Sequence, residues 1–100
     1  METQQINLVA KALADAQRFA ILQQIAAGAP EEVACKAIVA KFKLTPATIS
    51  HHLKELSTAG LIVGRREGQC MHFKAQSRVF SAYMRELKRR LRPSARSKDE

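Results

Sequence analysis

The chain has no tryptophan, one tyrosine and an aromatic share of only 5%. Its core must therefore be assembled from Ala, Leu, Ile and Val. A core that small, in a chain of 100 residues, gains stability from a partner subunit. Cysteine is nearly absent too. Cys35 and Cys70 are too few for a disulfide scaffold, and neither lies in a CxxC pair. No basic segment followed by an apolar one opens the sequence, so no signal peptide is evident. No apolar run approaches the roughly 20 residues of a membrane span. These absences point to a soluble, cytoplasmic chain with reduced thiols and no membrane partner.

Acidic residues are scarce as well, nine against 17 basic ones. The formal net charge of +8 and a pI near 10.1 mark a candidate binder of polyanions. A basic surface that only aids solubility is the plainer reading. The charge is uneven. Residues 1–60 hold six basic and five acidic side chains, residues 61–100 eleven and four. No nucleophile elbow, P-loop or paired-carboxylate pattern appears, so neither an enzyme nor a cofactor is expected.

Apolar spacing predicts a helix over 6–13 on Ile6, Val9 and Leu13. Asp15 then caps a second helix with a stripe of Phe19, Leu22 and Ile25 flanked by Ile21, and Gly28 ends it. A third helix has Glu31 and Glu32 at its start and buries Cys35, Ile38, Val39 and Phe42. After a short turn at Lys43-Leu44, Thr45 caps a fourth helix over 45–59, with Pro46 at its first position. Two helices joined so tightly form a helix-turn-helix unit.

After Gly60 the period changes to two. Residues 62–66 and 69–73 read as the strands of a hairpin (62–73) around Glu67-Gly68. Ile62, Gly64, Met71 and Phe73 share one face; Val63, Arg65, Cys70 and His72 share the other. Ser77 caps a last helix carrying Phe80, Tyr83, Met84, Leu87 and Leu91. The expected class is mainly α with a β-hairpin wing, in the order ααααββα. One domain spans 1–91 and a polar basic tail spans 92–100.

The fourth helix holds the pair His51-His52. At about 100° per residue, Ile49, Leu53 and Leu56 define its buried side. Ala47, His51 and Lys54 lie opposite, flanked by Thr48 and Ser50, and His52 sits at the edge of the buried face. Short polar side chains near a helix N-terminus suit a DNA major groove, where they meet base edges and phosphates. Thr45, Ala47, Thr48, Ser50, His51 and Lys54 are the candidates, with Arg65, Arg66 and Gln69 near the hairpin tip. The bland readings are an exposed histidine at 51, a packing residue at 52 and a merely soluble hairpin tip. Adjacent histidines point apart and HxxxH spacing is missing, so no metal is expected. Cys35 reads as a small buried hydrophobe. Cys70, with Arg65 as its expected cross-strand neighbour, leaves a thiol-based response open.

The segments LADAQRFAILQQIAAG and LTPATISHHLKELSTAGLIVGRREGQCMHFKA, in that order, resemble the ArsR/SmtB family of winged helix-turn-helix repressors. The resemblance covers roughly residues 6–91. It implies a homodimer bound to a pseudo-palindromic operator on double-stranded DNA. It also implies a dimer surface built by Leu8, Ala12, Phe80, Tyr83, Met84 and Leu87. The family's metal-sensing positions are not matched: the third helix carries a single cysteine and the last helix has no His, Asp or Cys. In the family arrangement the basic run at 88–92 lies away from the recognition helices, as a solvated surface. A sequence-specific repressor is thus the first expectation. A winged-helix module holding an acidic partner, or a redox-responsive repressor using Cys70, is the alternative.

Overall fold

The computed structural model describes residues 1–93. Eight elements follow one another: α1 (Thr3–Leu13), α2 (Ala16–Ala27), β1 (Val33–Ala34), α3 (Cys35–Phe42), α4 (Pro46–Thr58), β2 (Ile62–Glu67), β3 (Cys70–Ala75) and α5 (Ser77–Leu91). The helices and hairpin come in the expected order. A two-residue strand, β1, is added and completes a three-stranded antiparallel sheet of order β1-β3-β2. The expected tail over 92–100 lies, beyond Arg92 and Pro93, outside the described residues.

Local chemistry places most boundaries. Asp15 accepts from the Arg18 amide at 2.9 Å and starts α2. Thr45 accepts from the Thr48 amide at 3.2 Å, and Pro46 opens α4 with its fixed φ. Gly60, at φ +83°, ends α4: its amide donates to Ser57 and the Leu61 amide to Leu56, at 2.9 and 3.0 Å. These two bonds satisfy carbonyls the last turn leaves open, and the left-handed backbone explains the glycine. Lys43, at φ 54°, takes the same region at the end of α3 and lets the chain turn into α4 within three residues.

Four expectations need correction. The buried stripe of α2 is Arg18, Ile21 and Ile25, whereas Phe19 is 43% exposed. Glu31 and Glu32 precede α3, because Val33 and Ala34 pair with Phe73 and His72 instead of coiling. The hairpin turns at Gly68-Gln69, since Glu67 pairs with Cys70. The two faces survive, but Arg65 now stands across from His72 and not from Cys70. Ser77 does not cap α5: the N-cap is Gln76, without a side-chain cap bond.

The core is aliphatic, as the composition requires. Val9, Ile21, Ile25, Ile38, Ile49, Leu56, Leu61 and Ile62 are its largest fully buried side chains, and Phe73 is the one aromatic ring among the buried hydrophobics. α5 buries no residue in the chain it belongs to. It is anchored at its start, where Gln76 donates its amide to Leu61 and its side chain to Gly60, at 2.8 and 2.9 Å. The molecule is accordingly long, 56 × 23 × 23 Å, with a radius of gyration of 15.9 Å against about 13 Å for a compact domain of this size.

Leu56→Ala removes a fully buried side chain from the middle of this core and is expected to cost about 2–5 kcal/mol in urea unfolding. Ser57→Ala, one residue on and exposed, should stay within about 0.5 kcal/mol.

Candidate nucleic-acid interface

α4 divides as its sequence implies. Ile49, His52, Leu53 and Leu56 are buried against the core. Ala47, Ser50, His51 and Lys54 are exposed on the other side, and Thr48 is half-buried. Thr45 is exposed, but its hydroxyl is engaged as the cap and lies 2.9 Å from the Thr48 hydroxyl. The first turn therefore presents a small, polar and close-packed surface. The unpaired amides at its N-terminus favour negative charge.

Ser50, Lys54 and Ser57 of α4 face Cys35, Met71 and Phe73 across a shallow groove of about 230 Å³. At the wing, the two arginines behave differently. The Arg65 guanidinium grips Glu32 through both carboxylate oxygens, at 2.6–3.0 Å, and reaches Glu67 at 3.1 Å. The bond to Arg65 holds the Glu32 carboxyl below its ordinary range, and the two glutamates raise the Arg65 pKa. Arg65 thus ties β2 to the segment before β1. Arg66 points to the other face, across from Met71, and makes no ion pair among the described residues. Gln69 is exposed in the turn.

Sequence reasoning missed Glu32, because an acidic residue before a helix reads as a dipole partner. It missed Arg18 as well. This arginine is 8% exposed and donates from Nε to His52 Nδ1 at 3.3 Å and from Nη1 to the Lys11 carbonyl at 3.2 Å. It joins the end of α1 and the start of α2 to α4. Burial pushes the His52 pKa below its ordinary value, with Arg18 and His51 adding to the shift and Asp15 opposing it.

The cysteines share one cleft of about 440 Å³ with Val39, Pro46 and Met71. Burial raises the Cys35 thiol pKa. Cys70 is exposed, and the residue across from it is Glu67, so the cation the sequence placed beside it is elsewhere. Among the described residues, no three His, Cys, Asp or Glu side chains stand close enough to hold a metal ion, and no helix is long and apolar enough to cross a membrane.

The residues proposed for a dimer surface divide too. Phe80 and Met84 are exposed, at 40% and 47%, and Leu8, Tyr83 and Leu87 are half-buried. Ala12 is 1% exposed and belongs to the chain's own core, on the buried side of α1 with Ile6 and Val9. Leu91, 76% exposed, extends the α5 stripe by a further turn. Glu86 gathers the N-terminal ammonium at 3.8 Å, Arg90 Nε at 2.9 Å, and Arg89. Arg89 and Arg90 together pull its pKa down to about 2. Arg90 also donates to the Thr3 hydroxyl and the Met1 carbonyl, at 2.9 and 3.1 Å. These bonds clip α5 to the start of α1.

A family model described as a helix-turn-helix domain matches residues 13–65, the stretch from the end of α1 to the first wing strand. An ArsR-like transcriptional regulator from Rhodococcus sp. RHA1 superposes with a TM-score of 0.76 at 21% identity, covering 86% of this chain and 78% of that one. The homodimeric winged helix-turn-helix DNA-binding domain of a possible ArsR-family regulator from Mycobacterium bovis is 32% identical. Its TM-score is 0.69, and the match covers 81% of this chain and 73% of that one. HlyU from Vibrio cholerae is 25% identical with a TM-score of 0.67, over 92% and 98% of the two chains. No match to a curated protein was found. The Rhodococcus likeness speaks to the fold; the family model and the Mycobacterium domain speak to descent. The chain belongs to the ArsR/SmtB-like family of winged helix-turn-helix transcriptional regulators.

Proposed function

We propose that the protein is a sequence-specific repressor that binds a pseudo-palindromic operator as a homodimer. The observation that carries this reading is the two-sided α4, with Ile49, His52, Leu53 and Leu56 inside and Ala47, Ser50, His51 and Lys54 outside. In the proposed complex that outer face enters the major groove, and Thr45 and Thr48 keep the first turn rigid. Arg66 and Gln69 contact the backbone from the wing, while Arg65 braces the wing through Glu32. Phe80, Tyr83, Met84, Leu87 and Leu91 form the stripe that α5 offers to a second copy, with Leu8 beside it. The homodimeric state of the Mycobacterium domain supports that assembly. Two such helices then reach successive grooves, and occupancy of a promoter excludes polymerase.

Selection of bound duplexes from a random pool tests this reading. A two-fold related motif is expected; enrichment of no motif would contradict it. On the selected duplex, His51→Ala is expected to relax preference at one base position, worth about 1–3 kcal/mol of discrimination. Changes at the wing should be read by salt dependence. Arg66→Ala is expected to reduce the log–log salt slope by about one per protomer, whereas Arg65→Ala changes it less because its guanidinium is held by Glu32.

A further inference from the structure

The wing and the outer face of α4 leave one buried polar cluster without a role. Arg18 and His52 meet where α1, α2 and α4 converge, 8% and 5% exposed. Arg18 Nε donates to His52 Nδ1, so Nδ1 carries a lone pair and the imidazole proton sits on Nε2. Nε2 is itself buried and finds no hydrogen-bond partner among the described residues. The ring is therefore in its neutral form, in a fixed tautomer. The remaining Arg18 contact is the Lys11 carbonyl. No carboxylate bonds the guanidinium side chain among the described residues. The carboxylate of Asp15 accepts instead from the Arg18 backbone amide.

We infer that Arg18 and His52 are positioning residues for DNA reading, holding α4 in its binding pose only while His52 is neutral. The inference rests on α4 being the helix that DNA contacts. A second proton on the ring must go to Nδ1, the atom that Arg18 already occupies. The contact then becomes two cations facing each other without an acceptor between them. The charged groups around the ring are Arg18 and Asp15 from α2 and His51 on α4 itself, while α1 contributes only the Lys11 carbonyl to the cluster. Asp15 alone favours the charged ring. Separation of Arg18 from His52 shifts α4 against α1 and α2. It carries along His51, whose ring centroid lies 5.9 Å from that of His52.

The sign of the effect follows from the direction of the pKa shift. His52 is held below its ordinary value in the folded chain, so its contribution is intact above about pH 6.5 and is lost as pH falls through the folded value. His51 is a second imidazole, on the exposed face of α4, and is replaced in the test so that His52 alone is followed.

The experiment uses the 100-residue chain in the His51→Gln background, comparing only pH profiles at constant ionic strength. Duplex affinity is followed from about pH 8 to about pH 5, and the His52 ring is titrated by NMR without DNA. Affinity is expected to weaken by up to about tenfold per pH unit below the ring's titration point. In the free protein, the α4 amides should shift with the same midpoint. His52→Asn keeps an acceptor near the Nδ1 position without titrating and should flatten the profile. Arg18→Met should raise the ring's titration point. A His52 ring that titrates at or above about 6.5, or α4 amides that ignore its titration, would overturn the proposal even if both variants failed to fold. An acid response that persists unchanged in His52→Asn would overturn it too. Loss of all duplex binding at neutral pH would count against the DNA reading of α4, and the DNA-free titration would still judge the pair.

Discussion

A helix that offers one side to another molecule has to be held firmly by the other side. In this chain the hold on α4 is the buried set Ile49, His52, Leu53 and Leu56, closed by the Gly60 turn at one end and the Thr45 cap at the other. Much of the remaining architecture serves that hold. α1 and α2 supply Val9, Ala12, Ile21 and Ile25 beneath it, and the Gln5 side chain donates to the Ala59 carbonyl at its end. The buried Arg18 replaces what an aliphatic residue would do there with a directional bond to His52. Breaking one partner of such a contact leaves the other polar group buried and unsatisfied, so the pair orients the helix more strictly than apolar packing alone.

The wing follows the same logic with exposed charges. Glu32 sits on the segment leading into β1, so its bidentate grip on Arg65 couples the hairpin to the first helix of the helix-turn-helix unit. An exposed ion pair contributes little to stability. Its effect lies in geometry: it restrains where the hairpin, and Arg66 with it, stands relative to α4. The last helix is less covered. α5 leaves Phe80, Met84 and Leu91 in water, while Val79 and Tyr83 pack against the core, and Glu86 and Arg90 tie it to the start of α1. An amphipathic helix in that state has an apolar stripe to bury.

The fourth helix was legible because independent signals agreed. The cap, the proline and the apolar spacing all define the same segment, and the wheel separates His51 from His52 without any structure. The hairpin was legible as to faces but not as to turn. Moving the two-residue loop by one position changes each cross-strand partner by two residues, which preserves the faces and loses the Arg65–Cys70 pairing. β1 was hidden because two residues carry no period and their partners, Phe73 and His72, lie far along the chain. Arg18 was hidden for a chemical reason. It occupies the buried spacing with Ile21 and Ile25, but a charge there reads as surface, and Phe19 beside it reads as core. Only the acceptors on α1 and α4 make its burial tolerable, and they come together in three dimensions alone.

In the proposed complex the outer face of α4, and not the basic face of α5, meets DNA. Amide shift mapping of the protein on adding a selected duplex tests this directly. Changes concentrated at residues 47–54 and 66–69 are expected. Changes confined to Arg85, Lys88, Arg89 and Arg92, with α4 silent, would contradict it.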